Sequence, residues 1–219
     1  MTSAPLSQTA QDYLKEIYKL QTEAGRVETS ALAERVGVAP PSATAMLKKL
    51  GALGLVEHER YRGARLTNAG EKAAIEVIRH HRLLEMYLAE TLGLPIEEVH
   101  GEAERLEHAL SEELEARIDA RLGFPTHDPH GHPIPDADLN LDQTSLRALH
   151  ELAPGERATI ERVPDGDAAL LRYLSTLDLL PGERVELVDA APFGGPVTLV
   201  SGGAEHAISR ELAAQIGVS

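Results

Sequence analysis

TSALAERVGVAPPSATAMLKKLGALGLVEHERYRGARLT, residues 29–67, decides the fold. After Thr29-Ser30, Leu32, Ala33 and Val36 keep helical spacing. Gly37 stops that short helix, because glycine takes the left-handed turn at a helix end. Pro40-Pro41-Ser42 opens a second helix: proline is tolerated in a first turn, and Ser42 can satisfy free amides there. Two short helices joined by a glycine-containing turn form a helix-turn-helix. The second helix begins with the small polar side chains of Ser42 and Thr44 and ends with Lys48 and Lys49. A slim N-terminal end suits the DNA major groove, and lysines suit phosphates.

Val56 and Leu66 then frame two short strands with Arg62-Gly63 at the tip, and Arg60, Arg62 and Arg65 fall within six residues. Alone this is an ordinary solvated hairpin. Beside a helix-turn-helix it reads as a wing whose arginines contact the DNA backbone or minor groove. Pro41, Ser42, Thr44, Lys48, Lys49, Arg60, Arg62 and Arg65 are the expected DNA-facing residues, with double-stranded operator DNA as partner.

On the N-terminal side, Tyr13, Leu14, Ile17, Tyr18 and Leu20 repeat at helical spacing and predict a helix over 7–22. Asp12 in it reads, by itself, as a first-turn carboxylate favoured by the helix dipole. On the other side, EKAAIEVIRHHRLLEMYLAETLG (71–93) is apolar on more than one face, so it must bury two sides. One side needs a partner, which predicts a homodimer suited to palindromic DNA.

Residues 78–115 gather His80, His81, Glu85, His100, Glu104, Glu107 and His108 in two predicted helices broken at Gly93-Leu94-Pro95. Imidazoles and carboxylates bind borderline and hard divalent metals. His81 and Glu85 share a helix face at a spacing of four. Glu104, Glu107 and His108 fall within one arc beside the apolar stripe Ala103, Leu106, Leu110, Leu114 and Ile118 of a single second helix. The plainer reading of this stretch is a solvated acidic face.

FPTHDPHGHPIPDADLN (124–140) reads as a linker or surface loop, although His127, His130 and His132 are potential ligands. LDQTSLRALHELA (141–153) reads as a short helical segment. TIERV, RVELVDA and VTLVSG are strands separated by Pro/Gly turns, with LLRYLSTLDLLPG as a helix between them, which suggests a small barrel.

Composition sets bounds. The 219 residues carry a net charge of −14 and no cysteine, which excludes disulfides and thiolate metal sites. No apolar run reaches a membrane span and the N-terminus has no signal-peptide pattern, so a cytoplasmic protein with no membrane partner is expected. Residues 1–72 hold all five lysines and net +2, whereas 73–140 net −10 and 141–219 net −6. A mildly basic head followed by an acidic, histidine-bearing middle suits a polyanion at one end and a cation in the centre.

The chain resembles the diphtheria toxin repressor and manganese transport regulator family of metal-dependent transcription factors. DYLKEIYKL (12–20), APPSATAMLKKL (39–50), RYRGARLTNAG (60–70), HHRLLE (80–85), VHGEAERLEHALSEELE (99–115) and HDPHGHPIP (127–135) carry the likeness. The resemblance implies a mainly α protein with a small β part. Its expected divisions are an N-terminal winged helix-turn-helix (1–72), a helical dimerisation and metal-binding domain (73–140), and a tether with a C-terminal SH3-like, FeoA-like β-barrel (141–219). It also implies a primary metal site of Asp12, Glu104, Glu107 and His108, and an ancillary site of His81, Glu85 and His100. A metal would then staple helix one to the dimer core and activate the repressor dimer for operator DNA.

Iron-type members carry Met and Cys where this chain has Asp12 and Glu104, so hard carboxylates favour Mn²⁺, with Fe²⁺ as the alternative. Manganese-type members have a glutamate where this chain has Lys15, and the third domain offers Asp165 or Asp167 in place of the Glu and Gln ligands of iron-type members. Two other function classes compete. One is a metallohydrolase using His81, Glu85, His100 and Glu107; the other is a regulator answering to an organic effector.

Overall fold

A computed structural model describes residues 6–59, 62–142 and 144–219. It divides into two compact units. The first comprises Met1–His80, Glu107–Leu110 and Pro135–Leu141; the second comprises His81–Leu106, Ser111–Ile134 and Asp142–Ser219.

In the first unit, α1 (Gln8–Ala24) starts where the Ser7 hydroxyl accepts from the Ala10 amide. α2 (Thr29–Val36) ends at Gly37, whose φ of 72° is the left-handed conformation expected of it. α3 (Pro40–Ala52) follows. β1 (Val56–Glu59) and β2 (Gly63–Leu66) pair antiparallel, Val56 opposite Leu66 and Glu59 opposite Gly63. Leu14, Ile17, Leu32, Leu47 and Leu50, fully buried, form the core of this winged helix-turn-helix. Ser42 does not cap α3; it is exposed, and the backbone carbonyl of Ala39 accepts from the amides of Ser42 and Ala43. Two prolines at the start leave fewer amides to satisfy. The Thr67 hydroxyl accepts from the Gly70 amide and opens α4 (Asn68–Leu92).

In the second unit, α4 continues past His81 and α5 spans Ile96–Leu106. The single helix expected over 96–118 is absent. Glu107–Ala109 form a 3-10 turn, which belongs to the first unit, and the Ser111 hydroxyl accepts from Leu114 to cap a separate α6 (Glu112–Leu122). Serine at an N-cap is a helix-start signal that competes with continuation. The stripe assumed for a continuous helix therefore splits: Ala103 and Ile118 are buried, while Leu106 and Leu114 are 43% and 49% exposed.

The C-terminal part of this unit is a six-stranded antiparallel sheet among the described residues. Its strands are β3 (Arg147–Ala148), β4 (Arg157–Arg162), β5 (Arg184–Ala190), β6 (Val197–Ser201), β7 (Ala204–Ile208) and β8 (Gly217–Val218), in the order β3-β8-β4-β5-β6-β7. α7 (Ala168–Thr176) and the short α8 (Arg210–Ala213) accompany it, and Leu171, Leu174, Leu187 and Leu199 lie in its core. The helix expected over 141–153 is instead β3 and a 3-10 turn at Leu149–Glu151. Asp142 takes the Thr144 amide and hydroxyl on its own side chain, a local turn that competes with helix formation.

The segment expected to be a surface loop is buried at its centre. Asp128 and His130 are 5% and 0% exposed. One Asp128 oxygen accepts from the His130 and His132 amides, and the His130 carbonyl accepts from Val163. Gly131 makes this possible. Its φ is 86°, and a Cβ there would stand 1.7 Å from the Glu161 carbonyl oxygen beneath it. Gly131→Ala is expected to cost more than about 2 kcal/mol through strain and clash together. Urea unfolding measures it; a variant as stable as the parent would show that 127–134 is not held against β4.

Candidate metal centres

The first unit brings α1 to the 3-10 turn. On α1, Lys15 lies four residues from Gln11 and three from Asp12, so it shares a face with each of these neighbours. His108 Nε2 stands 2.8 Å from Asp12 Oδ1 and 3.5 Å from Glu107 Oε1. His108 Nδ1 is 2.8 Å from Gln11 Oε1. An amide oxygen only accepts, so Nδ1 carries the proton and Nε2 is the nitrogen turned to the two carboxylates. Two acceptors at 2.8 Å require a cation between them, either a proton or a metal ion. Burial raises the Asp12 pKa, against the pull of His108 and Lys15, and so favours a shared proton when no metal is there. Glu107 is 1% exposed, and Lys15, 3% exposed, donates to its Oε1 at 2.6 Å.

In the second unit, α4 supplies His81 and Glu85, and α5 supplies His100 and Glu104. Glu85 is fully buried. Its Oε1 lies 2.9 Å from His81 Nε2 and 3.0 Å from His100 Nδ1, and those two nitrogens are 3.1 Å apart. Three donors about 2.1 Å from an octahedral ion sit about 3.0 Å from one another, so this triangle fits one face of such an ion. Glu104 stands at the opposite nitrogens of the same imidazoles, 3.9 Å from His81 Nδ1 and from His100 Nε2.

Asp128 and His130 complete a second grouping around Glu85, all three buried, and Asp165 joins Glu85 and His100. His130 Nε2 is 3.0 Å from the Ile96 carbonyl, which only accepts, so its Nδ1 is the free-electron nitrogen of the neutral ring. Nδ1 points towards Glu85, 3.8 Å from Oε1. Glu85 Oε2, Asp128 Oδ2 and His130 Nδ1 are buried with no hydrogen-bond partner among the described residues. Unpaired buried polar atoms are costly, and a divalent cation would satisfy these together. Burial pushes the Glu85 pKa up, but the surrounding His100, His130 and His81 imidazoles outweigh it and hold the carboxyl well below its usual range. Burial likewise opposes charging His130, yet Glu85, Asp128 and Asp165 raise its pKa. The donor sets therefore fit divalent metals in both units.

Sequence reasoning did not place Asp128, His130 and Asp165 together. The spacing of Asp128, His130 and His132, which lets one carboxylate cap two amides, is the signal that could have found the first two. Asp167 is spent as the cap of α7, accepting from Ala169 and Leu170, whereas Asp165 faces the histidines. The His127 ring pairs with the Thr126 hydroxyl next to it.

On the winged unit, Pro41, Ser42, Lys48 and Lys49 are exposed on α3, and the Thr44 hydroxyl donates to the Pro40 carbonyl. Arg62 pairs with Glu59 at 3.3 Å and Arg65 with Glu57 at 2.7 Å. Arg60 lies outside the described residues.

Three family models match the chain in succession. They are the iron dependent repressor N-terminal DNA binding domain over residues 5–64, the iron dependent repressor metal binding and dimerisation domain over 67–136, and the FeoA domain over 147–219. The iron-dependent repressor IdeR of Mycobacterium tuberculosis is 33% identical, the alignment covering 97% of each chain. The diphtheria toxin repressor of Corynebacterium diphtheriae is 29% identical over 97% of each. Among solved structures, a manganese-dependent transcriptional repressor in complex with manganese is 40% identical with a TM-score of 0.87, over 95% of this chain and 98% of that one. ScaR with bound Zn²⁺ is 33% identical with a TM-score of 0.83, over 96% and 98%. With its DNA-binding, metal-binding and FeoA segments all matched in order, the chain belongs to the iron-dependent repressor family that includes the diphtheria toxin repressor.

Proposed function

We propose that this chain is a manganese-responsive DNA-binding repressor of metal homeostasis, acting as a homodimer on palindromic operator DNA. The observation that carries the metal choice is the sulfur-free donor set. Asp12, Glu107 and His108 form the first centre, and His81, Glu85, His100, Asp128, His130 and Asp165 supply the second. Glu104 is a proposed ligand on two grounds: the family likeness for the first centre, and its place beside His81 and His100 for the second. Carboxylate and imidazole donors suit Mn²⁺ by ligand type, although affinity order alone would not select it. Fe²⁺ is the second reading, favoured by the iron-dependent relatives at 33% identity.

A bound divalent ion would supply two positive charges to each donor set. In the first unit, Asp12 on α1 and His108 on the 3-10 turn are joined across 96 positions of sequence, so a ligand gripping both selects states in which α1 is held. Leu92, Leu106, Leu114 and Phe124, exposed in the single chain, support burial by a second copy. Ser42 and Thr44 would face bases, and Pro41 would pack beside them. Lys48, Lys49, Arg60, Arg62 and Arg65 would face phosphates or the minor groove. The proposed divisions remain 1–72 for DNA, 73–140 for metal and dimer, and 141–219 for the tether and SH3-like domain. Among the described residues no helix is long and apolar enough to cross a membrane, and a cytoplasmic site of action goes with the proposal.

Fluorescence anisotropy with the DNA upstream of the chain's own gene tests this. Mn²⁺ is expected to tighten binding by roughly 5–150-fold over chelator, and His108→Ala to remove that difference; equal binding with and without metal sinks the reading. For the second centre, Glu85→Gln should lower the Mn²⁺ bound per chain by one, counted by electron paramagnetic resonance of the free ion. An unchanged count would mean that Glu85 is not a ligand. Lys48→Ala should weaken binding to all sequences and reduce the salt slope by about 0.9; a slope unaltered by the change would remove Lys48 from the phosphate contacts.

A further inference from the structure

Lys15 is an odd resident for a cation-binding centre. It is 3% exposed, its ammonium lies 2.6 Å from Glu107 Oε1, and the Glu107 side chain has no exposed surface. The same Oε1 is 3.5 Å from His108 Nε2, so Lys15 and a divalent ion would draw on one oxygen. We infer that Lys15 is a built-in counter-cation of the first centre, which stands in for part of the metal's charge in the metal-free protein and sets how much metal is needed to load it. The inference rests on the reading of Asp12, Glu107 and His108 as a metal centre.

Charge makes the case. Of the groups the first unit itself brings together, before any contribution from Glu104, Asp12 and Glu107 carry two negative charges and Lys15 one positive, leaving a net of one negative charge for a doubly charged ion. Without Lys15 the two carboxylates would match that ion's charge, and Glu107 Oε1 would be unclaimed by an ammonium. Repulsion between an ammonium and a divalent ion a few ångströms apart is strong where water is excluded. Lys15 therefore weakens metal binding. It also stabilises the metal-free state, since a buried carboxylate stripped of its partner is costly. Because Lys15 sits on α1 and Glu107 on the 3-10 turn, the pair also ties those elements before any metal arrives. The ion thus competes with an existing tie, and the threshold for switching depends on the difference between them.

A purely structural ion pair makes a different prediction. It would stabilise metal-free and metal-bound protein alike, and its loss would leave metal affinity where it was. The test is a Mn²⁺ titration of the full chain followed by electron paramagnetic resonance, with thermal unfolding measured with and without Mn²⁺. His108→Ala identifies which class of sites belongs to the first centre; if it removes none, the metal-centre reading fails whatever Lys15 does. Given that class, Lys15→Met is expected to bind Mn²⁺ in it about tenfold more tightly or better. The metal-free melting temperature should fall and the Mn²⁺-induced rise should grow. Lys15→Arg, which keeps the charge, should stay within about threefold of the parent. Should Lys15→Met fold poorly, Lys15→Gln carries the same expectation. An affinity unchanged or weakened by both neutral variants overturns the inference and leaves the metal centre standing.

Discussion

A carboxylate taken out of water must be matched by positive charge, and two such groups organise this protein. Glu85 and Glu107 are 0% and 1% exposed. The effective penalty for burying an ion is several kcal/mol even after the protein relaxes, comparable to a large part of a domain's net stability. Each unit therefore assembles its cations around one glutamate. In the first, Lys15 reaches Glu107 from α1, and His108 stands beside it on the same 3-10 turn. In the second, His81, His100 and His130 converge on Glu85 from α4, α5 and the segment after α6. The elements are where they are partly because those side chains have to meet.

The two solutions differ in what they leave unsatisfied. Around Glu107 the Lys15 amine is already in contact, so the metal-free site is already tied together. Around Glu85 the partners are imidazoles, whose charge depends on protons, and three buried polar atoms lack a hydrogen-bond partner among the described residues. An ion entering the second set meets atoms that make no hydrogen bond among the described residues, although Arg82 and His132 stand within 4 Å of Asp128 Oδ2; an ion entering the first must share Glu107 with Lys15. In both, one histidine nitrogen is committed to a protein acceptor, Gln11 for His108 and the Ile96 carbonyl for His130. That commitment fixes the ring and aims the other nitrogen at a carboxylate, as metal-ligating histidines commonly require.

Much of this was legible in the sequence, and the parts that were not share a cause. The helix-turn-helix and wing could be read because Gly37, Pro40 and the arginine tip impose local geometry that tertiary context does not override. His81, Glu85 and His100 could be read because α4 really is continuous and the turn at Gly93 really does end it. The single helical arc expected for Glu104 and Glu107 breaks after Leu106, where α5 gives way to the 3-10 turn and Ser111 then starts a new helix, a competition that periodicity cannot weigh. Asp128 and His130 were hidden by composition. Proline, glycine and aspartate mark a surface loop by default, and it takes the close approach of Gly131 to the Glu161 carbonyl, with the Val163 amide donating to the His130 carbonyl, to show the backbone pressed onto a strand. β7 was missed although Gly202-Gly203, both at positive φ, is a hairpin signal that was within reach.

Charge also constrains how such a chain meets DNA. At −14 net, long-range attraction to a polyanion is poor, and only the first 72 residues carry a small positive excess. Among the described residues the wing's arginines are paired: Arg62 and Arg65 lie on Glu59 and Glu57, and Arg26 also reaches Glu59. These exposed pairs are individually weak and can exchange for phosphate contacts, but each exchange releases a glutamate beside the DNA. Affinity has then to come from placing α3 and the wing together, because bulk electrostatics works against it. A repressor whose resting state binds weakly for this reason gains twice from divalent ions. As the proposed occupants of these centres, they would offset part of the acidic excess and, through Asp12, would restrain the helix on which the winged fold is packed.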